Sequence, residues 1–203
     1  VVINHHLFFA DVNIRESGVA ELLPAAHAVV FDEAHQLNTI GVQFLGCQLS
    51  TAQLDDFCRD LERQGSQLAL TGNGWRESMT ELVRDTAALR GLFSGEASQR
   101  RLAWAVDAPA GISVAHWRQV VTLLQASLQR IESVLRSLQE HAADIQALCE
   151  RATRLLQLLN TFVDAVQPAW VRWVETGHQV KLLQSPLDIA ESMRSRVLDT
   201  ASG

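Results

Sequence analysis

From Ser113 to Val166 the sequence holds neither glycine nor proline, which leaves helix as the natural conformation of its central stretch. Within that stretch the apolar residues alternate three and four apart: Val121, Leu124, Leu128, Ile131, Leu135 and Leu138, then Ile145, Leu148, Ala152, Leu155, Leu159, Phe162 and Val166. Such spacing draws one narrow apolar seam along a helix. The phase slips between Leu138 and Ile145, so we expect two long antiparallel helices joined by a turn near Glu140 to Asp144. The alternative is one continuous rod of roughly 75 Å at 1.5 Å per residue, with both seams still needing a partner. Upstream segments can cover the hairpin. Ser50-Thr51-Ala52-Gln53 is a capping-box pattern opening a helix to about Gln64, with Leu54, Phe57, Cys58 and Leu61 on one face. A further helix is expected from about Trp75 to Arg90, with Trp75, Met79, Leu82 and Val83 inward. The seam therefore reads as the inside of a bundle rather than an oligomerisation zipper.

The rest of the chain is less uniform. Gly91 to Gly111 is rich in loop residues, with a short helix expected at about 98–105. Beyond Pro168, the segments Trp170 to Glu175 and His178 to Leu183 flank Thr176-Gly177 and read as a β-hairpin. Trp170 and Trp173 would lie on opposite faces of its first strand, suited to edge packing or to stacking on bases. Ser185, Pro186 and Asp188 have the order of an N-cap, N1 and N3, predicting a last helix from Pro186 to about Leu198. Residues 1–40 look different: a strand at 1–3, a helix at about 5–13, a loop at Ser17-Gly18 and a second strand at 28–31. The expected fold class is thus mainly α, a helical bundle with a small α/β fragment and a β-hairpin.

One stretch carries a chemistry. The apolar run from Ala28 to Phe31 ends on Asp32-Glu33-Ala34-His35, and the C-terminal ends of strands are where open α/β sheets place their ligands. Mg²⁺ takes hard oxygen ligands and keeps much of its water. Phosphoryl transfer is mainly positioning and charge stabilisation, so one carboxylate can sit by the metal while its neighbour orients the attacking water. Four residues alone make a weak motif; the competing reading is an ordinary strand-to-helix turn with Asp32 as N-cap. Gly72-Asn73-Gly74 supplies no phosphate loop, since it lacks the Gly-Lys-Ser/Thr ending.

Charge and cysteine usage narrow the classes. A net charge of −6, with Lys181 the single lysine, argues against a free-standing binder of phosphate backbones. Cys47, Cys58 and Cys149 are widely spaced and form no Cys-x-x-Cys knuckle, a usage suited to reduced thiols in the cytoplasm. No apolar run approaches a membrane span, so no membrane partner is expected.

Asn4-His5-x-Leu7-Phe8, then Glu21-Leu22-Leu23-Pro24, then Asp32-Glu33-Ala34-His35-Gln36-Leu37 stand in one order. That order closely resembles the DinG/XPD-type superfamily 2 DNA helicases, the DinG/YoaA branch in particular. Val171-Arg172-Trp173-Val174-Glu175 and Ser185-Pro186-Leu187-Asp188-Ile189-Ala190-Glu191 resemble the same family near the other end of the chain. The resemblance implies that residues 1–45 are part of a RecA-like motor domain, 46–167 a helical arch insertion, and 168–203 a hairpin and helix returning to the motor. It implies an internal segment of a longer protein, in keeping with an opening on Val1 inside an apparent strand. By the same resemblance Asp32 neighbours Mg²⁺ through water, Glu33 is the catalytic acid that activates water, and His35 couples the nucleotide site to the DNA side. The family uses ATP to move 5′ to 3′ on single-stranded and forked DNA. It holds an iron–sulfur cluster through four cysteines that precede the Asn-His element and so are not among these three. The segment alone is expected to be monomeric, to bind DNA weakly and to lack hydrolysis, having no Gly-Lys-Thr loop. Two rivals remain: a non-enzymatic helical interaction module, and a metal-dependent hydrolase built on His5, His6, Asp32, Glu33 and His35, which lack His-Glu-x-x-His spacing.

Overall fold

The structure, a computed structural model, describes residues 1–16, 22–24, 28–67, 73–95, 100–104, 107–138, 143–166 and 168–187. In chain order the elements are α1 (His5–Glu16), α2 (His35–Leu45), β1 (Cys47–Ser50), α3 (Thr51–Gln67), α4 (Asn73–Gly91), β2 (Arg100–Ala103), α5 (Val114–Leu138), α6 (Ala143–Val163), β3 (Trp170–Thr176) and β4 (Lys181–Pro186). The fold is mainly α with one small sheet, as the sequence suggested. The chain divides into two compact units, one of residues 1–47, 167–171 and 184–203, the other of residues 48–166 and 172–183.

In the second unit α5 and α6 are two helices, not one rod. Glu132 on α5 accepts a hydrogen bond from the Thr153 hydroxyl on α6 at 2.5 Å. Seven residues earlier on α5, Gln125 donates to Asn160, seven residues later on α6, at 2.7 Å. Contacts that retreat on one helix as they advance on the other require an antiparallel pair. The expected turn residues 140–142 lie outside the described set; Ala143 and Asp144 already belong to α6. Leu124, Leu128, Ile131 and Leu135 face Ile145, Ala152, Leu159 and Phe162 in the core, all essentially inaccessible to water. Burying such side chains contributes about 1.5–3 kcal/mol each. Leu138 and Val166, at the ends of the seam, are less covered, and Val166 lies past the end of α6.

α4 packs on α5, α3 on α4, and α3 closes against α6, making a four-helix bundle. The capping box forms as written: Gln53 N–H donates to Ser50 Oγ at 3.2 Å and Ser50 N–H to Gln53 Oε1 at 2.8 Å. Leu54, Phe57, Cys58 and Leu61 are buried. On α4 the inward row is Trp75, Ser78, Leu82, Asp85, Thr86 and Leu89, whereas Val83 is half exposed and Met79 only partly covered. A helix turns 100° per residue, so Val83 stands one step outside the row set by Trp75, Leu82 and Leu89. Gly65 permits the α3–α4 approach: a Cβ there would lie 2.4 Å from Trp75 Nε1.

The sheet has the order β1-β4-β3-β2. β3 and β4 realise the expected pair of strands, with the connection at 177–180 instead of Thr176-Gly177: Thr176 still belongs to β3, and the second strand begins at Lys181 rather than His178. The helix expected at 98–105 is corrected: Arg100–Ala103 is a strand, antiparallel to β3 with Arg101 opposite Glu175 and Ala103 opposite Trp173, while residues 98, 99 and 105 are outside the described set. β3 would otherwise present a bare edge, and pairing with it overrides a weak local helical preference. Ser185 and Pro186 likewise end β4 instead of opening a helix, because the sheet reaches them first and proline is tolerated at a strand end; residues 188–198 are outside the described set. Arg172 donates to the Asp164 and Thr161 carbonyls at the end of α6 while its guanidinium lies over Trp104. Trp104 packs edge-on against Trp117 and stacks on Phe162.

The first unit is built on aromatic packing. Phe8, Phe9 and Ile40 are buried, with Ile3, Phe31, Leu37 and Phe44 packed around them. Asn4 caps α1, its Oδ1 accepting from Leu7 N–H at 2.8 Å. The strands expected at 1–3 and 28–31 do not form. A strand's backbone groups need a neighbouring strand, and among the described residues none pairs with them. Val1, Val2 and Val30 are almost wholly in solvent and Val29 half so. The expected loop at Ser17-Gly18 falls outside the described residues.

Candidate functional site: the acidic turn before α2

Phe31 is the residue that sets this turn. Its ring meets Phe8 edge-to-face at 5.0 Å between centroids and stacks on His5 at 6.4 Å, so α1 holds the residue immediately before the acids. On the other side α2 is anchored through Leu37, Ile40 and Phe44. Asp32 and Glu33 are left between two fixed points, with side chains in solvent.

The backbone of the turn is unusual. Glu33 has φ of 50°, the left-handed region that costs a non-glycine residue roughly 1–2 kcal/mol. Its carbonyl accepts from Gln36 N–H at 2.8 Å, which starts α2. Asp32 Oδ1 accepts from Glu33 N–H at 2.9 Å. Asp32 therefore braces its neighbour's peptide and does not cap the helix, which disposes of the ordinary N-cap reading. His35, in the first turn of α2, places Nδ1 3.1 Å from Glu33 Oε2. The three residues singled out from sequence are thus brought together within one turn: Asp32 braced to the backbone, Glu33 held by His35, all reachable from solvent.

The other candidates disperse. His6 packs edge-on against the Phe44 ring, and His5 is committed to Phe31. No group of three or more His, Cys, Asp or Glu side chains among the described residues is arranged to hold a metal ion. Cys58 and Cys149 are buried on separate helices, and burial, helped by the Asp55 carboxylate, pushes the Cys58 thiol up to about 11. Trp173 is occupied by its own sheet: Arg101 lies over its ring at 5.0 Å and its Nε1–H donates to Glu175 at 3.1 Å. The desolvation of Glu175 is outweighed by this bond and by Arg101, leaving its carboxyl below the usual range.

Sequence reasoning passed over Asp11. It is 4% exposed, and its Oδ1 accepts from Leu22 N–H at 2.7 Å and Leu23 N–H at 2.9 Å. The signal available was an acid following the apolar run Leu7-Phe8-Phe9-Ala10 inside a helix.

No protein-family model matches the chain. Comparison with curated proteins gives 31% identity over 195 residues to the ATP-dependent DNA helicase YoaA of Escherichia coli, covering 96% of this chain. The ATP-dependent DNA helicase YoaA of Haemophilus influenzae is 28% identical over 205 residues, covering 97%. The chain is similar to YoaA helicases. The resemblance read from the motifs therefore extends over almost the whole sequence, bundle included. The chain spans about 30% of the length of these YoaA relatives. No helix among the described residues is long and apolar enough to cross a membrane.

Proposed function

We propose that this chain is the Walker B and arch portion of a YoaA-like, ATP-dependent DNA helicase. The observation that carries the proposal is the acidic turn itself: an uncovered apolar run, Val29-Val30, ends on two exposed adjacent carboxylates in a chain alignable to YoaA over nearly its full length. Solvent-facing valines on a non-polar backbone segment suit a strand whose neighbours belong to the rest of a RecA-like sheet. On this reading residues 1–45 are part of the first motor domain, 46–167 the arch, and 168–203 the return to the motor.

Asp32 and Glu33 fit a magnesium nucleotide by the nature of their donors: accessible, hard carboxylate oxygens of the kind Mg²⁺ accepts directly or through water. When bound, Mg²⁺ would neutralise charge on the transferring phosphate. Asp32, whose Oδ1 accepts from the Glu33 amide, would hold the metal's water. Glu33 would orient and deprotonate the attacking water. His35, paired with Glu33 at the start of α2, would link the acid to movements of that helix and so to the DNA side. Single-stranded or forked DNA, 5′ to 3′ movement, a cytoplasmic site and a monomeric state belong to the same proposal. The iron–sulfur cluster of the DinG/XPD-type helicases does not fit this chain's thiols, since Cys58 and Cys149 are enclosed in the bundle and Cys47 stands in no group of three or more possible metal ligands among the described residues.

The test is Glu33→Gln in the complete protein. DNA-stimulated ATP turnover should fall by roughly 10²–10⁴-fold, the usual contribution of a positioned general base, while nucleotide binding persists. Unchanged turnover would overturn the assignment.

A further inference from the structure

We infer that Asp11 is a positioning residue for the acidic turn, and the inference rests on the role given to Glu33 above. A buried carboxylate is costly unless its oxygens are hydrogen-bonded. Asp11 is nearly enclosed and gives its Oδ1 to two consecutive backbone amides, those of Leu22 and Leu23. Both amides converge on a single oxygen, so the clamp depends on an acceptor at that one point, which a side-chain amide oxygen of the same length can also supply.

The consequence is geometric. One turn before Asp11 on the same helix, Phe8 packs against Phe31, the residue preceding Asp32. α1 therefore grips the incoming chain twice, by a polar clamp at residues 22–23 and by an aromatic clamp at Phe31. Leu22 is itself half exposed and Pro24 exposed, with Leu23 partly covered, so the two amide bonds to the carboxylate are a main part of the first grip. With the first clamp released, the direction from which the chain enters the strained Glu33 turn would be held less firmly, and small misplacement of a catalytic group costs orders of magnitude in rate.

Two conservative variants of the complete protein separate this role from a generic need for charge or for folding. Asp11→Asn keeps an oxygen acceptor in place without the charge. Asp11→Glu keeps the charge and moves the oxygens by one methylene. The clamp requires Asp11→Asn to retain ATP turnover within about threefold. It requires Asp11→Glu to lose roughly tenfold or more in kcat at unchanged KM for ATP, with faster hydrogen exchange at the Leu22 and Leu23 amides and unchanged protection in the α3–α6 bundle. The inverse ranking, Asp11→Glu active and Asp11→Asn inactive, would overturn it, as would wild-type exchange at both amides in Asp11→Glu. Glu33→Gln run alongside distinguishes the two readings. If that variant turns over normally, the role of Glu33 fails and the kinetic half of the inference with it. If Glu33→Gln is inactive and Asp11→Glu is fully active, the Asp11 inference alone fails.

Discussion

The two units of this chain solve the same problem by different means. The bundle of α3 to α6 satisfies its backbone inside each helix and needs only side chains to join its parts, so it encloses a row of leucines, isoleucine and phenylalanine almost completely. Among its described residues the first unit has two helices and a small aromatic cluster, yet leaves Val1, Val2, Val29 and Val30 in solvent. Helical segments carry their hydrogen-bond partners with them, whereas strand segments borrow theirs from other segments. The bundle's core is therefore legible from its own helices, whereas the acidic turn is anchored by α1 and α2 through Phe31 and Leu37, with the side chains of Asp32 and Glu33 exposed.

Core truncation should expose that contrast most strongly. Leu128→Ala removes a fully buried side chain from α5 and should cost about 2–5 kcal/mol. Val30→Ala, at an almost fully exposed position, should stay within about 0.5 kcal/mol. Denaturant midpoints of the two variants of this chain measure the gap; equal losses would mean that Val30 is packed rather than exposed.

A smaller effect should come from the close approach of α3 and α4. Gly65→Ala drives a methyl group into the Trp75 indole, and overpacking of this kind costs about 1–3 kcal/mol. Trp75→Leu in the same background should recover part of the loss. An unchanged melting temperature for Gly65→Ala would show that the indole is free to move aside.

The smallest effect should be an acid limb confined to the bundle. The Thr153 hydroxyl, acting against some desolvation, and then Arg136 hold the Glu132 carboxyl below its ordinary value. A carboxyl lowered in the folded state contributes stability that is present above its unfolded pKa, about 4.3. It is lost as pH falls through the lower folded value. Glu132→Gln should therefore flatten the decline in bundle stability below about pH 4.3 and leave its slope near neutrality unchanged. An identical acid limb in the variant would remove Glu132 from the account.

Much of the bundle was legible because its signals are local. The Ser50–Gln53 box, the glycine- and proline-free stretch and the three-four alternation each act within one or two turns, and the structure realises all of them. The acidic turn was legible as a motif, and Asp32, Glu33 and His35 do meet within it. Asp11 was not, because nothing in a sequence says which distant amides a helical carboxylate will reach. Ser78, Asp85 and Thr86 were missed on the inner face of α4 because polarity disguised positions that their spacing from Trp75 and Leu89 marks as inward.

What the sequence determined by itself was therefore the helices, their caps and the acid pair, since these depend on neighbours three or four residues away. Tertiary structure alone decided that Arg100–Ala103 is a strand, that β4 continues through Pro186, and that residues 1–3 and 28–31 form no strand with any of the described residues. Strands exist only where another segment meets their backbone groups, and that meeting is settled by the folded whole.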